Sequence, residues 1–186
     1  MKAFYVILIL SGLMVLSCEK ASLPLEGPKY GEVDALLNGT EWDGNILGLE
    51  HKTYYSTELF LDLHIDWDIE FNETSINFGK IDPDRIGDTM RVEARDSVER
   101  DDFTQVSSSF YTSLGDVLLD KFIVYGEADN YFIVTDWDEE SRELQGRFHA
   151  TYVRDFGWKD TAMAPWMPDT VVFTDGIFRA EVIDYP

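Results

Sequence analysis

Residues 59–71 read Leu-Phe-Leu-Asp-Leu-His-Ile-Asp-Trp-Asp-Ile-Glu-Phe, with an apolar side chain at every odd position and a polar one at almost every even position. This period of two is typical of a strand with one face in a core, because successive side chains of a strand point to opposite faces. Thirteen residues at about 3.3 Å each would extend about 43 Å, which is long for one straight strand. The stretch therefore predicts a bent or bulged strand in a sheet that curls.

Shorter alternations and β-rich runs recur along the rest of the chain, in residues 76–78, 90–94, 117–125, 131–137, 144–152 and 171–182. Between and within them we expect a short helical turn at 114–120, a hairpin loop at 126–130, a turn at 138–141 and a bulge at Asp175-Gly176. About nine candidate strands with short links, and no strand–helix–strand rhythm, predict an all-β fold. We expect an antiparallel meander that closes into a barrel or packs as a two-layer sandwich.

Charge and composition exclude several classes of protein. Asp and Glu number 36 against 15 Lys and Arg, which gives a formal net charge of −21. A nucleic-acid binder needs the opposite sign to neutralise phosphates, so no nucleic-acid partner is expected. A single Cys excludes a disulfide framework, and an aromatic content of 14% excludes a disordered acidic tail.

Residues 1–17 are predicted to be a lipoprotein signal peptide. Lys2 precedes residues 3–16, a mostly apolar run that matches the apolar segment of a secretory signal and is too short to cross a membrane. Cys18, the only cysteine, follows Leu16-Ser17 at the expected cleavage point. This ending resembles the lipobox of bacterial lipoproteins, in which the cysteine is acylated and becomes the new N-terminus.

Lipidation at Cys18 would attach the chain to the membrane by acyl chains, of which several together hold a protein firmly. Residues 18–32 contain two Pro and two Gly and no periodicity, so we expect a flexible tether followed by a single domain at 33–186. Without Lys2 the mature chain carries a side-chain charge of −22, and anionic lipid should repel the domain. Glu19 after the cysteine favours the outer membrane over the inner one. The sequence does not indicate which leaflet of that membrane the lipid occupies.

Both ends of the domain resemble one family of lipoproteins. Residues 33–42 read Val-Asp-Ala-Leu-Leu-Asn-Gly-Thr-Glu-Trp, an apolar strand that runs into Asn-Gly and then a Trp. Residues 146–150 contain Gly-Arg-Phe, and residues 172–178 contain Thr-Asp-Gly-Ile-Phe, where Asp175 replaces the usual Asn. These motifs are similar to those of a Bacteroidetes-type lipoprotein family of unknown function. The resemblance implies a calycin-like, lipocalin-resembling β-barrel, and it implies no activity and no catalytic residues.

The sequence contains no recognisable arrangement for catalysis or metal binding. His51, His64 and His149 are the only histidines, none lies in a triad context, and Cys18 is committed to lipid, so no enzymatic activity is expected. The acidic clusters at 66–70, 82–88 and 136–140 lack the spacing of a calcium loop. We expect them to be solvated sheet edges, and we predict neither a metal nor a cofactor.

The candidate site is the segment from Arg154 to Thr170, which links two predicted strands. It carries five large apolar side chains where a surface connection is usually polar: Phe156, Trp158, Met163, Trp166 and Met167. Such a segment is either a lid over the open end of the barrel or the rim of a site for a small apolar molecule or a glycan, since Trp offers flat faces for stacking. We expect a small-molecule or glycan binder. The alternative is a structural or protein-interaction lipoprotein without a ligand cavity.

Asp160-Thr161-Ala162 resembles the acceptor motif for O-linked glycans on exported proteins of the same bacterial group. The motif spans only three positions, and an Asp-rich chain contains such matches by chance. Thr161, within the long apolar segment, is the acceptor to test first.

Lipidation of Cys18 can be tested directly. Radiolabelled palmitate fed to the producing bacterium should enter the wild-type chain and not the Cys18→Ser variant, because the variant has no thiol to acylate. Autoradiography of the purified chain on a denaturing gel measures the incorporation. Label in the variant, or none in the wild type, would remove the proposed anchor.

Overall fold

The computed structural model describes residues 31–52, 57–66, 72–97, 104–158 and 161–185. Within these ranges the chain forms a 3₁₀ turn at Arg95–Ser97 and ten strands that belong to one sheet. The strands are β1 (Gly31–Leu37), β2 (Thr40–Lys52), β3 (Thr57–Asp66), β4 (Asn72–Ile81), β5 (Met90–Ala94), β6 (Gln105–Leu114), β7 (Val117–Val124), β8 (Tyr131–Asp138), β9 (Glu143–Arg154) and β10 (Thr170–Tyr185). The all-β prediction is confirmed. The same ranges contain no helix with the length and apolarity to span a membrane.

The sheet closes on itself with eight strands around each end. Around one end, which we call the loop end, the order is β1-β2-β3-β4-β6-β7-β9-β10, and β10 pairs with β1. Around the opposite end, β5 and β8 stand between β6 and β9 in place of β7, and β10 pairs directly with β2 in place of β1. The barrel wall therefore forks twice, once at the start of β1 and once at the end of β7.

The strand pairings include two that the sequence did not indicate. β10 runs parallel to β2 over Val182–Tyr185, and β5 runs parallel to β6 over Arg91–Ala94. All other strand pairings in the described ranges are antiparallel. Each parallel pair lies at a fork: β10 meets β2 where β1 is absent from the wall, and β5 meets β6 where β5 and β8 replace β7.

Asn130 holds the second fork together. β7 and β8 lie end to end along β9 and not side by side, so the hairpin loop expected at 126–130 is wrong. The buried Asn130 side chain lies beside β9 in the gap between the end of β7 and the start of β8. Its Oδ1 accepts the Thr151 N–H at 2.8 Å, and its Nδ2 donates to the Tyr125 carbonyl at 2.7 Å. The one amide thus satisfies a backbone group of β9 and another just after β7.

Three local predictions can be compared with the backbone. The bulge at Asp175 is confirmed, since the register of β10 shifts between Phe173 and Gly176 and Asp175 has a φ of 54°. The turn at 138–141 is confirmed as well, because Asp138 Oδ1 accepts the Glu140 N–H at 2.9 Å. The helical turn expected at 114–120 is wrong. Those residues form the end of β6, a tight turn and the start of β7.

Aromatic side chains fill the barrel interior. Seven fully buried large residues carry rings: Phe78, Phe110, Phe122, Phe132, Phe148, Tyr152 and Phe173. Neighbouring ring centroids among them lie 5.0 to 6.5 Å apart, which is contact distance for aromatic pairs. Trp42 packs on Phe173 and Trp137 lies against the same core, as predicted, whereas Trp67 is outside the described residues.

Gly146 gives a test of this packing. A Cβ at Gly146 would overlap the Phe178 ring and the Ile133 carbonyl oxygen, so Gly146→Ala should destabilise the fold by about 1–3 kcal/mol. Gly126→Ala is the control, because its Cβ would have its nearest neighbour 3.9 Å away. We expect that control to stay within about 0.5 kcal/mol of wild type. Urea unfolding followed by Trp fluorescence measures both variants, and equal midpoints would contradict the packing.

Candidate functional site

The predicted apolar segment is a loop at the loop end of the barrel. β9 ends at Arg154 and β10 begins at Thr170, so the connection, which we call the aromatic loop, comprises residues 155–169. Of it, the structure describes 155–158 and 161–169. Backbone hydrogen bonds tie its start to β7, from the Asp155 N–H to the Lys121 carbonyl at 2.9 Å, and close its two ends, from the Arg154 N–H to the Asp169 carbonyl at 2.8 Å.

A buried arginine holds the aromatic loop against the barrel. The Arg154 side chain is 2% exposed and forms an ion pair with Asp120 on β7, which is 3% exposed. Its Nε donates to Asp169 Oδ1 at 2.9 Å, and its Nη2 donates to the carbonyls of Ala164, at 3.3 Å, and of Met167. One guanidinium thus contacts the loop at three residues. We call this arrangement the Arg154–Asp120 clasp.

Asp120 binds the loop backbone directly. Its Oδ2 accepts the Ala164 N–H at 2.6 Å, and its Oδ1 accepts the Met163 N–H at 3.1 Å. Burial alone would raise the pKa of Asp120, but these hydrogen bonds and the Arg154 guanidinium outweigh it and hold the pKa below its ordinary value. The charged carboxylate therefore stabilises the fold above its ordinary pKa. That contribution is lost as the pH falls through the lowered pKa.

The aromatic loop presents different side chains to the core and to solvent. Ala164 and Met167 are buried in the core, so Met167 does not share the surface position of the other predicted site residues. The remaining four expose between 40% and 48% of their surface: Phe156, Trp158, Met163 and Trp166. The loop therefore packs on the core through Ala164 and Met167 and exposes its other four large apolar side chains.

The β6–β7 hairpin adds three exposed residues that the sequence analysis did not select, Leu114, Val117 and Leu118. They lie at the loop end because β7 begins there, and Asp120 on the same strand bonds to the aromatic loop. We call these three residues and the outward four of the loop the apolar surface. The sequence of 117–125 could have indicated these exposed residues. The run is apolar on both faces, and only one face of a strand in this sheet can point into the core.

Acidic residues outnumber basic ones at the loop end. The described segments of the loop end, 38–43, 114–121, 154–158 and 161–170, contain six acidic residues and two basic ones. Arg154 pairs with Asp120 inside the barrel and also bonds Asp169, and Lys121 is the one other basic residue beside the five remaining acids. These five form what we call the acidic rim: Glu41, Asp43, Asp116, Asp155 and Asp169. Two of them, Glu41 and Asp43, also line an open groove of about 500 Å³.

The other predicted residues form no second site. Thr161 is exposed on the aromatic loop, where an enzyme could reach it, and its glycosylation stays a prediction. The His149 ring stacks on Tyr131 at 5.7 Å between centroids. Cys18 and the side chains of His51 and His64 lie outside the described residues. Among the residues that are described, no three His, Cys, Asp or Glu side chains come together as metal ligands.

Comparison of the chain with protein-family models, with curated proteins and with solved structures gives no match. The resemblance to a lipoprotein family therefore stays a prediction. What the chain does must be inferred from the geometry of the loop end.

The clasp predicts that two arginines differ strongly in their contribution to the free energy of unfolding. Arg154→Met would leave the Asp120 carboxylate buried without its cation, and we expect a loss of about 3–5 kcal/mol in unfolding free energy. Arg142→Met is the control: Arg142 also pairs with two carboxylates, Glu50 and Asp184, but its side chain is 34% exposed. We expect it to lose about 1 kcal/mol or less. Urea denaturation measures both, and equal losses would show that the clasp does not hold the loop end.

Proposed function

We propose that this chain is a non-enzymatic, lipid-anchored protein of the cell envelope that binds a macromolecular partner at its loop end. The observation that carries the proposal is the apolar surface. Ten large hydrophobic side chains are exposed in the described part of the chain, and seven of them lie at this one end. Apolar residues scattered singly over a surface are ordinary, whereas seven of them at one end of a barrel favour an interaction site there.

The filled interior of the barrel favours a partner that binds on the outside. Between the described strands the interior holds buried aromatic rings in mutual contact. A ligand in that space would have to displace side chains whose burial stabilises the fold. The exterior of the loop end requires no such displacement, because its apolar side chains are already exposed. This favours the interaction protein over the binder of a small molecule inside the barrel.

The kind of side chain also favours a macromolecule. Aromatic residues and Met are enriched in the centres of protein interfaces, and the apolar surface contains three aromatic residues and a Met. Leu114, Val117 and Leu118 add aliphatic area without hydrogen-bonding groups. A surface of this composition gains its binding energy by excluding water from apolar area, which another protein can cover well.

A glycan is the second candidate, and one observation favours it. Trp158 and Trp166 are exposed on the same loop as Asp155 and Asp169. Flat rings that stack on a sugar, with carboxylates that accept hydrogen bonds from its hydroxyls, are the usual composition of a sugar site. The aliphatic residues of the β6–β7 hairpin have no part in such a site.

The envelope location rests on Cys18. Acyl chains on the mature N-terminus would hold the protein at the membrane, and residues 18–32 would give the domain freedom to stand away from it. The side-chain charge of −22 opposes close approach of the domain to anionic lipid. We propose the outer membrane as the site of anchoring.

Binding at the loop end can be tested by replacing two tryptophans. The Trp158→Ser/Trp166→Ser variant should retain at least about tenfold less envelope material than wild type, because central interface aromatics carry much of the binding energy. Tyr125→Ser/Ile86→Ser is the control, since both residues are at least as exposed as Trp158 but lie outside the apolar surface and the groove beside it. Full-length chain in lipid nanodiscs is used as bait, and mass spectrometry quantifies what is retained.

Two outcomes would change the proposal. If both variants and wild type retain the same material, the loop end is not the binding site. If the material lost with the tryptophans is a saccharide, the glycan candidate replaces the macromolecular one.

A further inference from the structure

Resting on the proposed function, we infer that the partner at the loop end is a protein whose docking surface is apolar at its centre and basic at its rim. The apolar surface supplies one half of this inference. Its seven side chains come from two segments that the clasp fixes relative to each other, the aromatic loop and the β6–β7 hairpin. A partner must present apolar area of matching extent to cover both segments at once.

The acidic rim supplies the other half. Four of its five residues are exposed, namely Glu41, Asp43, Asp116 and Asp169, and Asp155 is half-buried. Lysine and arginine on a partner would find complementary charge at this rim, whereas acidic side chains there would be repelled.

A second copy of this chain does not meet these requirements. It would bring an identical acidic rim against the first, and each mature chain carries a side-chain charge of −22. Like charges set against each other at an interface cost free energy and slow association. An anionic bilayer is opposed by the same repulsion. The charge therefore selects a basic protein surface over both.

A random peptide library tests this inference. Peptides displayed on phage are selected on the full-length chain in nanodiscs, and those that also bind the Trp158→Ser/Trp166→Ser variant are removed. We expect the remaining peptides to combine aromatic or aliphatic residues with Lys and Arg. Because rim charges are screened by salt, their affinity should fall at least about threefold between about 50 and about 500 mM salt.

Two charge variants locate the effect. Glu41→Gln/Asp43→Asn/Asp116→Asn removes three acidic groups from the rim, and Glu139→Gln/Glu140→Gln/Glu181→Gln removes three exposed ones toward the opposite end. The rim variant should bind a selected synthetic peptide at least about threefold more weakly, and the control should bind as wild type does. Fluorescence titration measures both affinities, and size-exclusion chromatography with light scattering measures self-association.

The failures are distinguishable. Selected peptides without excess Lys and Arg, or equal effects of the two charge variants, overturn the basic partner and leave the proposed function in place. A concentration-dependent dimer that the Trp variant abolishes also overturns it, in favour of a second copy. If no peptide distinguishes wild type from the Trp variant, both this inference and the macromolecular function at the loop end are wrong.

Discussion

The loop end of this barrel depends on one buried cation. An unpaired guanidinium in a protein interior costs several kcal/mol, so Arg154 requires the Asp120 carboxylate beside it. The Phe122 ring lies 4.7 Å from the guanidinium and adds a cation–π contact. Backbone groups of Met163, Ala164 and Met167 on the aromatic loop also bond to the pair. The path of the loop is therefore tied to the buried charges, whose polar atoms need hydrogen-bond partners inside the protein.

Local alternation predicted the strands well, and it could not predict how they pair. The all-β class, the bulge at Asp175 and the turn at 138–141 were all recognisable from neighbouring residues, whereas a barrel and a two-layer sandwich were both left open. The fork at Asn130 was not, because it depends on where Thr151 of β9 meets two strand ends. The helical turn at 114–120 was a false signal: Leu114, Val117 and Leu118 have helical spacing, but Gly115 adopts a positive φ of 54° and reverses the chain.

The candidate site was predicted in part. Aromatic content identified the loop, but the clasp was not recognised, although the sequence contains evidence for it. Alternate residues of a strand share a face, so Asp120 shares the inward face of β7 with Phe122 and Val124. Arg154 shares the inward face of β9 with Tyr152 in the same way. A charge at such a position requires a partner within the core. That the two meet follows from the pairing of β7 with β9, which are separated in sequence by the whole of β8.

The clasp also explains why exposed aromatic residues suit binding here. A mobile loop would lose conformational entropy on docking, and each ordered long side chain would cost about 0.5–1.5 kcal/mol. In this barrel much of that ordering is present without a partner, because Asp120 and Arg154 bond the loop backbone at Met163, Ala164 and Met167. The buried ion pair that stabilises the fold thereby also preorganises the apolar surface. With the proposed partner, the acidic rim would act mainly on the rate of encounter and the apolar centre on the rate of dissociation.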